Sequence, residues 1–300
     1  MAEKKIEAAR RNIGKFIDFF KCPLCDSGFD VFGKVNSSFL KCRNNHTYDI
    51  SKKGYVNLFV GNTKITKTYD KALFSARKTV SDGGLYGPLS QKLCEIINAI
   101  NPPAVLDAAC GCGNLTFDIF MNTGKKPVFA VDLSKDGISI AAGNFCGDNL
   151  SWIVGNLNNL PFSGNKFDVI LNILSPANYA EFKRVLRRDG FLVKVLPDSD
   201  YLKELRDFIY KETDRNNYSN EDVLKHLEEN VRVTDIVDVK YVHPVKKSDV
   251  PALFDMTPLT LNIGNGEKSR EQIKGDLIDG INGNVFKTTL AFKIAICRNR

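Results

Sequence analysis

No run of apolar residues in this 300-residue chain approaches the ~18 that a membrane-crossing helix needs. The first residues, Met1-Ala2-Glu3-Lys4-Lys5, lead into a charged amphipathic stretch with no apolar signal core. Both absences point to a soluble, cytoplasmic protein with no membrane partner. Internal repeats and low-complexity tracts are also missing. A composition of 43% hydrophobic and 26% charged residues is ordinary for a globular protein and excludes disordered, collagen-like and coiled-coil chains. Histidine is scarce, at three residues, and eight cysteines without a secretion signal do not make a disulfide framework. Most of the chain also lacks an excess of either charge: residues 104–300 carry 25 Lys+Arg against 26 Asp+Glu, whereas residues 1–103 carry 17 against 9. This predicts a basic, polyanion-facing module ahead of a near-neutral body of catalytic size, in keeping with about two domains for this length.

Three cysteines fall beside one of the histidines. Cys22-Pro23-Leu24-Cys25 is followed, after sixteen residues, by Cys42-Arg43-Asn44-Asn45-His46, a C-x2-C-x16-C-x3-H pattern. Four soft or borderline ligands at this spacing suit a closed tetrahedral Zn2+ site clamped by two short knuckles. Four protein ligands leave no position for water, so the ion is expected to be structural. Between the knuckles, Phe29–Val35 and Ser38–Lys41 alternate as short strands around a Gly33/Asn36 turn region. Beyond them, Lys52 and Lys53 beside Tyr48 and Tyr55 offer either a phosphate-and-base contact or a solvated turn over a small core.

The segments divide into a helical extension at 1–19, the zinc ribbon at 20–60, a helical connector at 61–103 and an α/β body at 104–300. The connector opens with a polar loop, Gly61–Thr68, and continues with helical apolar spacing over 70–80 and 88–100, closed by Pro102-Pro103. In the body, apolar runs alternate with helical patterns, the signature of a parallel sheet covered on both faces. The runs are Val105–Ala109, Val128–Asp132, Ser151–Gly155, Phe167–Leu174 and Phe191–Leu196. Val233–His243 and Phe286–Cys297 follow as an antiparallel pair, making a Rossmann-like sheet of seven strands. A polar stretch at Asp214–Asn220 is expected to be a surface loop.

The first of these strands runs into Asp107-Ala108-Ala109-Cys110-Gly111-Cys112-Gly113-Asn114-Leu115. A strand that turns through glycines into a helix brings backbone amides close to a ligand. Asp132, with Leu133 after it, ends the second strand about 20 positions on, where an acidic residue can accept ribose hydroxyls. The pattern is D-x-A-x-G-x-G and not G-x-G-x-x-G. An Asp two residues before the turn suits the ammonium end of S-adenosylmethionine better than a pyrophosphate. Asn156 and Leu157, after the third strand, lead to Leu160-Pro161-Phe162, where an adenine ring fits between apolar side chains and a polar edge. Cys110 and Cys112 are read as small residues that the turn accommodates, and His226 and His243 as surface or packing residues.

With these motifs the body resembles a class I S-adenosylmethionine-dependent methyltransferase, with Phe167-Asp168-Val169-Ile170 as the strand after the adenine pocket. The whole chain from about residue 20 is similar to a narrower family, the RlmA-type 23S rRNA guanine-N1 methyltransferases. The residues that carry this likeness are the Cys/His knuckles, Tyr48-Asp49, Lys53-Gly54-Tyr55-Val56-Asn57-Leu58, Ala76-Arg77-Lys78 and Leu85-Tyr86-Gly87-Pro88-Leu89. Downstream they are Ser175-Pro176, Leu196-Pro197 through Leu205, and Asp255-Met256-Thr257-Pro258-Leu259. The resemblance implies methylation of guanine N1 in a hairpin loop of 23S rRNA by a homodimer. It places Tyr86, Asn114, Leu115 and Tyr201 at the cofactor and Cys22, Cys25, Cys42 and His46 on zinc. Two departures stand out: Ala109 replaces the loop's first glycine, and Tyr201 stands where relatives can have histidine.

Such a transfer is a direct displacement, so the protein's main task is to align N1 with the methyl group. Guanine N1 must also lose a proton, which calls for a base or a water path, and no residue of the sequence stands out as that base. Asn172 and Ser175, at the fourth strand's end, are the candidates to hold the base edge. Two alternatives share the fold: a small-molecule methyltransferase with the ribbon as lid or dimer contact, and a non-catalytic cofactor or RNA binder in which Ala109 marks a decayed loop.

Overall fold

The computed structural model describes residues 4–34, 37–61, 70–210, 220–261, 263 and 268–299. The expected turn at Gly33/Asn36 and the loops at Gly61–Thr68 and Asp214–Asn220 lie wholly or largely outside these residues.

A helix, α1 (Lys5–Lys15), opens the chain and is followed by a three-stranded antiparallel ribbon sheet: β1 (Phe29–Lys34), β2 (Ser37–Cys42) and β3 (Thr47–Asp49). Next come a short strand β4 (Tyr55–Asn57), α2 (Lys71–Asp82) and α3 (Gly87–Ile100). The Asp70 side chain caps α2 by accepting from the Leu73 amide at 3.0 Å. Pro88 stands in the first turn of α3, and Asn101, left-handed at φ 53°, ends it just before Pro102-Pro103.

The body contains β5 (Val105–Ala108), α4 (Asn114–Asn122), β6 (Val128–Asp132), α5 (Lys135–Asn144), β7 (Leu150–Val154), β8 (Phe167–Ile173), α6 (Tyr179–Val185) and β9 (Leu186–Pro197). It continues through α7 (Lys203–Ile209), α8 (Glu221–Asn230), β10 (Arg232–Lys246), α9 (Val250–Asp255), α10 (Arg270–Asp279) and β11 (Val285–Arg298). One sheet runs β10-β11-β9-β8-β5-β6-β7-β4, antiparallel where β11 meets its neighbours and parallel elsewhere. The seven expected strands all lie in it. The eighth, β4, comes from the stretch that the sequence assigns to the ribbon: Tyr55, Val56 and Asn57 pair with Trp152, Ile153 and Val154.

Strands buried along their whole length, such as β5, need cover on both faces. One face is covered by α3, α4 and α5 through Leu89, Leu93, Ile119, Ile138 and Ala141. The other is covered by α6 and by the N-terminal extension, whose Phe19 stacks on Phe129 of β6 with centroids 4.8 Å apart. Phe20 meets Phe162 at 5.5 Å. The chain before the first knuckle therefore fills a place that a crossover helix would otherwise occupy.

Candidate active site and metal centre

The four expected metal ligands converge: one donor atom from each of Cys22, Cys25, Cys42 and His46 lies within 4.8 Å of the other three. The Cys22 and Cys42 sulfurs are 3.6 and 3.4 Å from His46 Nδ1, and Cys25 Sγ is 3.6 Å from Cys42 Sγ. A tetrahedron with Zn–S near 2.3 Å has edges of roughly 3.5–3.8 Å, so this donor set fits zinc and closes around it. The Ser27 hydroxyl, 3.2 Å from Cys25 Sγ, holds that thiol down to about 6, favouring the thiolate that zinc requires.

The ribbon is tied to the loop between β7 and β8, where the sequence expects the adenine. The Lys21 amide donates to Pro161 O at 3.1 Å, the Ser163 amide to Phe19 O at 2.8 Å, and Asn159 Nδ2 to Pro23 O at 3.1 Å. The two tyrosines considered as base-stacking residues are packing residues. Tyr55 is buried in β4, and Tyr48 lies edge-on to Phe29 with its hydroxyl 3.5 Å from Cys22 Sγ. Lys53 reaches Ser139 Oγ at 2.6 Å, while Lys52 is exposed.

At the carboxyl ends of β5 and β6 the structure brings together the glycine turn and Asp132, the acid expected at the ribose. Gly111 N–H donates to Asp132 Oδ2 at 2.8 Å, and the Ser134 amide to Asp132 Oδ1 at 2.7 Å. The Ala109 amide donates to Val131 O and the Gly155 amide to Asp132 O, which draws Asn156 and Leu157 to the same edge. Gly111 and Gly113 adopt φ of 59° and 78°. A Cβ on Gly113 would stand 2.5 Å from the Trp152 ring and 2.8 Å from Ala141 Cβ. Ala109 takes the same left-handed conformation, φ 70°, so the turn survives the loss of its first glycine at a cost of ~1–2 kcal/mol.

Asp107 lies beneath the turn and is almost fully buried. Its Oδ2 accepts from Thr116 Oγ1 at 2.5 Å, and its Oδ1 has no partner among the described residues. Burial lifts its pKa to about 7, against the lowering by Thr116, and nearby Asp132 adds to the rise. Burial raises Asp132 as well. A buried carboxylate with one unsatisfied oxygen is what the ammonium end of S-adenosylmethionine would complete.

Helix α2 lies over this edge. Phe74 packs 3.5 Å from the position of a Gly111 Cβ, and Asp82 Oδ1 accepts from Asn114 Nδ2 at 2.9 Å. Leu115 and Leu133 are half-buried on either side of the turn. The Tyr86 and Tyr201 hydroxyls meet at 3.1 Å, with Met256 Sδ 3.8 Å from Tyr86, so three distant motifs join here. The Arg77 guanidinium donates to Met256 O and lies near enough to hold down Asp132, Tyr86 and Tyr201 against their burial.

Asn172 is fully buried. Its Nδ2 donates to Ser175 Oγ at 2.6 Å, to Ala108 O at 3.0 Å and to Pro176 O at 3.2 Å. Leu174 turns the chain at φ 51° to present Ser175. One polar residue of this edge was not singled out from the sequence: Lys194 of β9, whose Nζ donates to Asn172 Oδ1 at 2.6 Å and to Ser175 O at 2.9 Å. Its one signal in the sequence is a lysine inside the otherwise apolar run Phe191–Leu196. Beside it, Ser175, Pro176, Ala177, Tyr179, Leu196 and His226 help line a cavity of about 260 Å³. His226 is largely exposed and edge-on to Tyr179, and His243 packs beside Gly84.

A glycine turn on the first body strand, a buried acid under it, a second acid on the next strand and a Cys3His cluster on the same sheet define a class I methyltransferase, S-adenosylmethionine-dependent, with a zinc ribbon. A methyltransferase domain family matches residues 105–190, and the family described as RlmA, N-terminal, matches residues 20–67. Bacillus subtilis YxjB, provisionally named a 23S rRNA (guanine-N1)-methyltransferase, is 38% identical over 81% of this chain and 88% of its own. A 23S rRNA (guanine(748)-N1)-methyltransferase of Streptomyces fradiae is 29% identical over 66% and 69%. Among solved structures, a methyltransferase of Bacillus halodurans aligns over 65% of this chain and 92% of its own, at 21% identity and a TM-score of 0.42. The chain belongs to the RlmA-type 23S rRNA (guanine-N1)-methyltransferase family.

Proposed function

We propose that the protein methylates N1 of a guanine in a hairpin loop of 23S rRNA. The observation that supports this reading is the family's zinc ribbon hydrogen-bonded to the loop between β7 and β8 of the sheet that bears the glycine turn, a place from which a module that faces RNA would sit beside the reaction edge. Bound S-adenosylmethionine supplies the electrophilic methyl group. Asp107 Oδ1 takes its ammonium, and the backbone of Ala109, Gly111 and Gly113 admits its amino-acid end. Asp132 and Leu133 bound the ribose, and Asn156 and Leu157 the adenine. Tyr86, Asn114, Leu115 and Tyr201 close the pocket from the α2 side. Of the two residues expected at the target base, Ser175 lines the cavity and meets the base edge, whereas Asn172 is fully buried with its amide already bonded and holds Ser175 and Lys194 in place. The base has to be unpaired or flipped to enter.

In the same reading the chain divides into the extension at 1–19, the ribbon segment at 20–60, whose last strand β4 joins the body's sheet, the connector at 61–103 and the catalytic body at 104–300. The basic excess of residues 1–103 serves RNA phosphates. The protein acts in the cytoplasm as a homodimer. The exposed edge of β10, with Ile236 and Val242 on its surface, supports pairing with a second copy, and no described helix is long and apolar enough to cross a membrane. The test is primer extension on 23S rRNA from cells with and without the gene, because an N1 methyl group blocks reverse transcription. Loss of one stop at a hairpin guanine is expected; an unchanged stop pattern refutes the reading.

A further inference from the structure

The reaction edge contains a group for the step the sequence leaves unassigned. Lys194 Nζ makes two hydrogen bonds, to Asn172 Oδ1 and Ser175 O, and among the described residues no carboxylate pairs with it. A neutral amine has two donors and a lone pair, whereas an ammonium has three donors. The two acceptors present satisfy the neutral form in full. The side chain is 2% exposed and lines the 260 Å³ cavity at the carboxyl ends of β8 and β9. Asn172, its partner, also donates to Ala108 O at the base of the cofactor turn, so cavity and turn share one hydrogen-bonded edge. In an open α/β sheet this is where ligands bind.

We infer that the cavity receives the target guanine and that Lys194 is the catalytic residue that removes its N1 proton. The inference rests on the proposed guanine-N1 reading and deepens it. In the step, the N1–H bond breaks and its electron pair stays on N1. The proton joins the Nζ lone pair to give an ammonium, whose three donors then face Asn172, Ser175 and the base. The freed N1 pair forms the bond to the methyl carbon while the electrons of the broken S–C bond remain on sulfur. Nζ afterwards returns the proton to water at the cavity mouth.

The surrounding groups agree with this role. Burial lowers Lys194 to about 8 and lifts both Cys297 of β11 and Tyr179 of α6 to about 12, so neither neighbour provides an anion at neutral pH. His226 of α8 faces the same cavity from its exposed rim, with Glu229 3.8 Å away.

The test combines the full-length wild type with Lys194→Met, which keeps length and burial, and Lys194→Arg, which keeps the cation but stays protonated and has no lone pair to accept a proton. A lysine base predicts single-turnover methylation that rises with pH and levels off above about 8. Both variants should lose about 10²–10⁴-fold at pH 7.5 and rise with pH without that plateau, while S-adenosylmethionine binding stays within threefold. RNA carrying 8-azaguanine at the target, whose N1 proton is more acidic, should recover most of the loss. As a readout independent of turnover, the Nζ resonance of Lys194 in the cofactor-free protein should titrate near 8. Activity retained in Lys194→Met, restoration by Lys194→Arg, or a titration above 10 overturns the inference, and the resonance decides it even if a variant does not fold. Wild type that makes no N1-methylguanine fails the parent reading instead.

Discussion

Replacing Asp107 with Asn should move stability and cofactor affinity in opposite directions. In the empty protein the carboxyl is buried with one oxygen unsatisfied and is lifted from an ordinary 3.8 to about 7. A carboxyl raised in the folded state keeps its proton there after the unfolded chain has lost it, so stability falls as pH rises from about 4 to about 7. That span is worth on the order of 4 kcal/mol. Asn carries no such charge, so Asp107→Asn should raise the melting temperature at pH 8. Binding has the reverse sign, because the ligand's ammonium favours the ionised carboxylate. Wild-type affinity for S-adenosylmethionine should climb with pH up to about 7, being roughly 30-fold weaker at pH 5.5, and fall again as the ligand's amino group deprotonates. Removing one partner of a buried charged pair costs about 2–5 kcal/mol, a loss of roughly 30-fold to several-thousand-fold. Calorimetry from pH 5.5 to 7.5 on both proteins checks this, with any slope left in the variant belonging to Asp132, which burial also raises. A flat wild-type profile, or a variant that binds within threefold, refutes the assignment of Asp107 to the ammonium.

Purified protein should contain about one equivalent of zinc, and chelation should speed hydrogen exchange at the Lys21 and Ser163 amides, which join the ribbon to the sheet; unchanged protection would mean the ribbon holds without metal. Gly113→Ala should cost several kcal/mol, about 1–3 for a strained φ and more for the clash with Trp152, as read by urea denaturation; a loss below 1 kcal/mol contradicts it. Ala109→Gly removes a left-handed penalty of ~1–2 kcal/mol and adds ~0.5–1 of chain entropy, so a gain of up to about 1.5 kcal/mol is expected in the same assay. Reversing the exposed Arg43 and Lys52 to Glu should weaken RNA binding and flatten its salt slope by roughly one per lost phosphate contact, with cofactor affinity unchanged.

The parts legible in the sequence are those in which residue type and spacing carry the physics. The knuckles, the turn from Asp107 to Gly113 and Asp132 depend on local geometry, and the apolar runs marked seven strands within a few residues. The parts not legible depend on pairing across distance. Tyr55–Asn57 is too short to announce a strand, and only Trp152–Val154 beside it makes it one. Lys194 is a single charge in an apolar run, unremarkable until β8 sets Asn172 opposite it. The Tyr86–Tyr201 contact joins α3's start to the turn before α7, and no periodicity links those positions.

The edge strand β4 also bears on how the protein is made. A chain leaves the ribosome from its N-terminus, so Tyr55–Asn57 is exposed to solvent well before β7, its hydrogen-bonding neighbour, exists. Long-range pairing of this kind is slow to form. One edge of the sheet is therefore filled by a segment made well before its partner, and it closes only after Leu150–Val154 has emerged. Zinc captured by the knuckles in that interval would keep the waiting strand tethered to a folded unit and limit its pairing with a neighbouring chain.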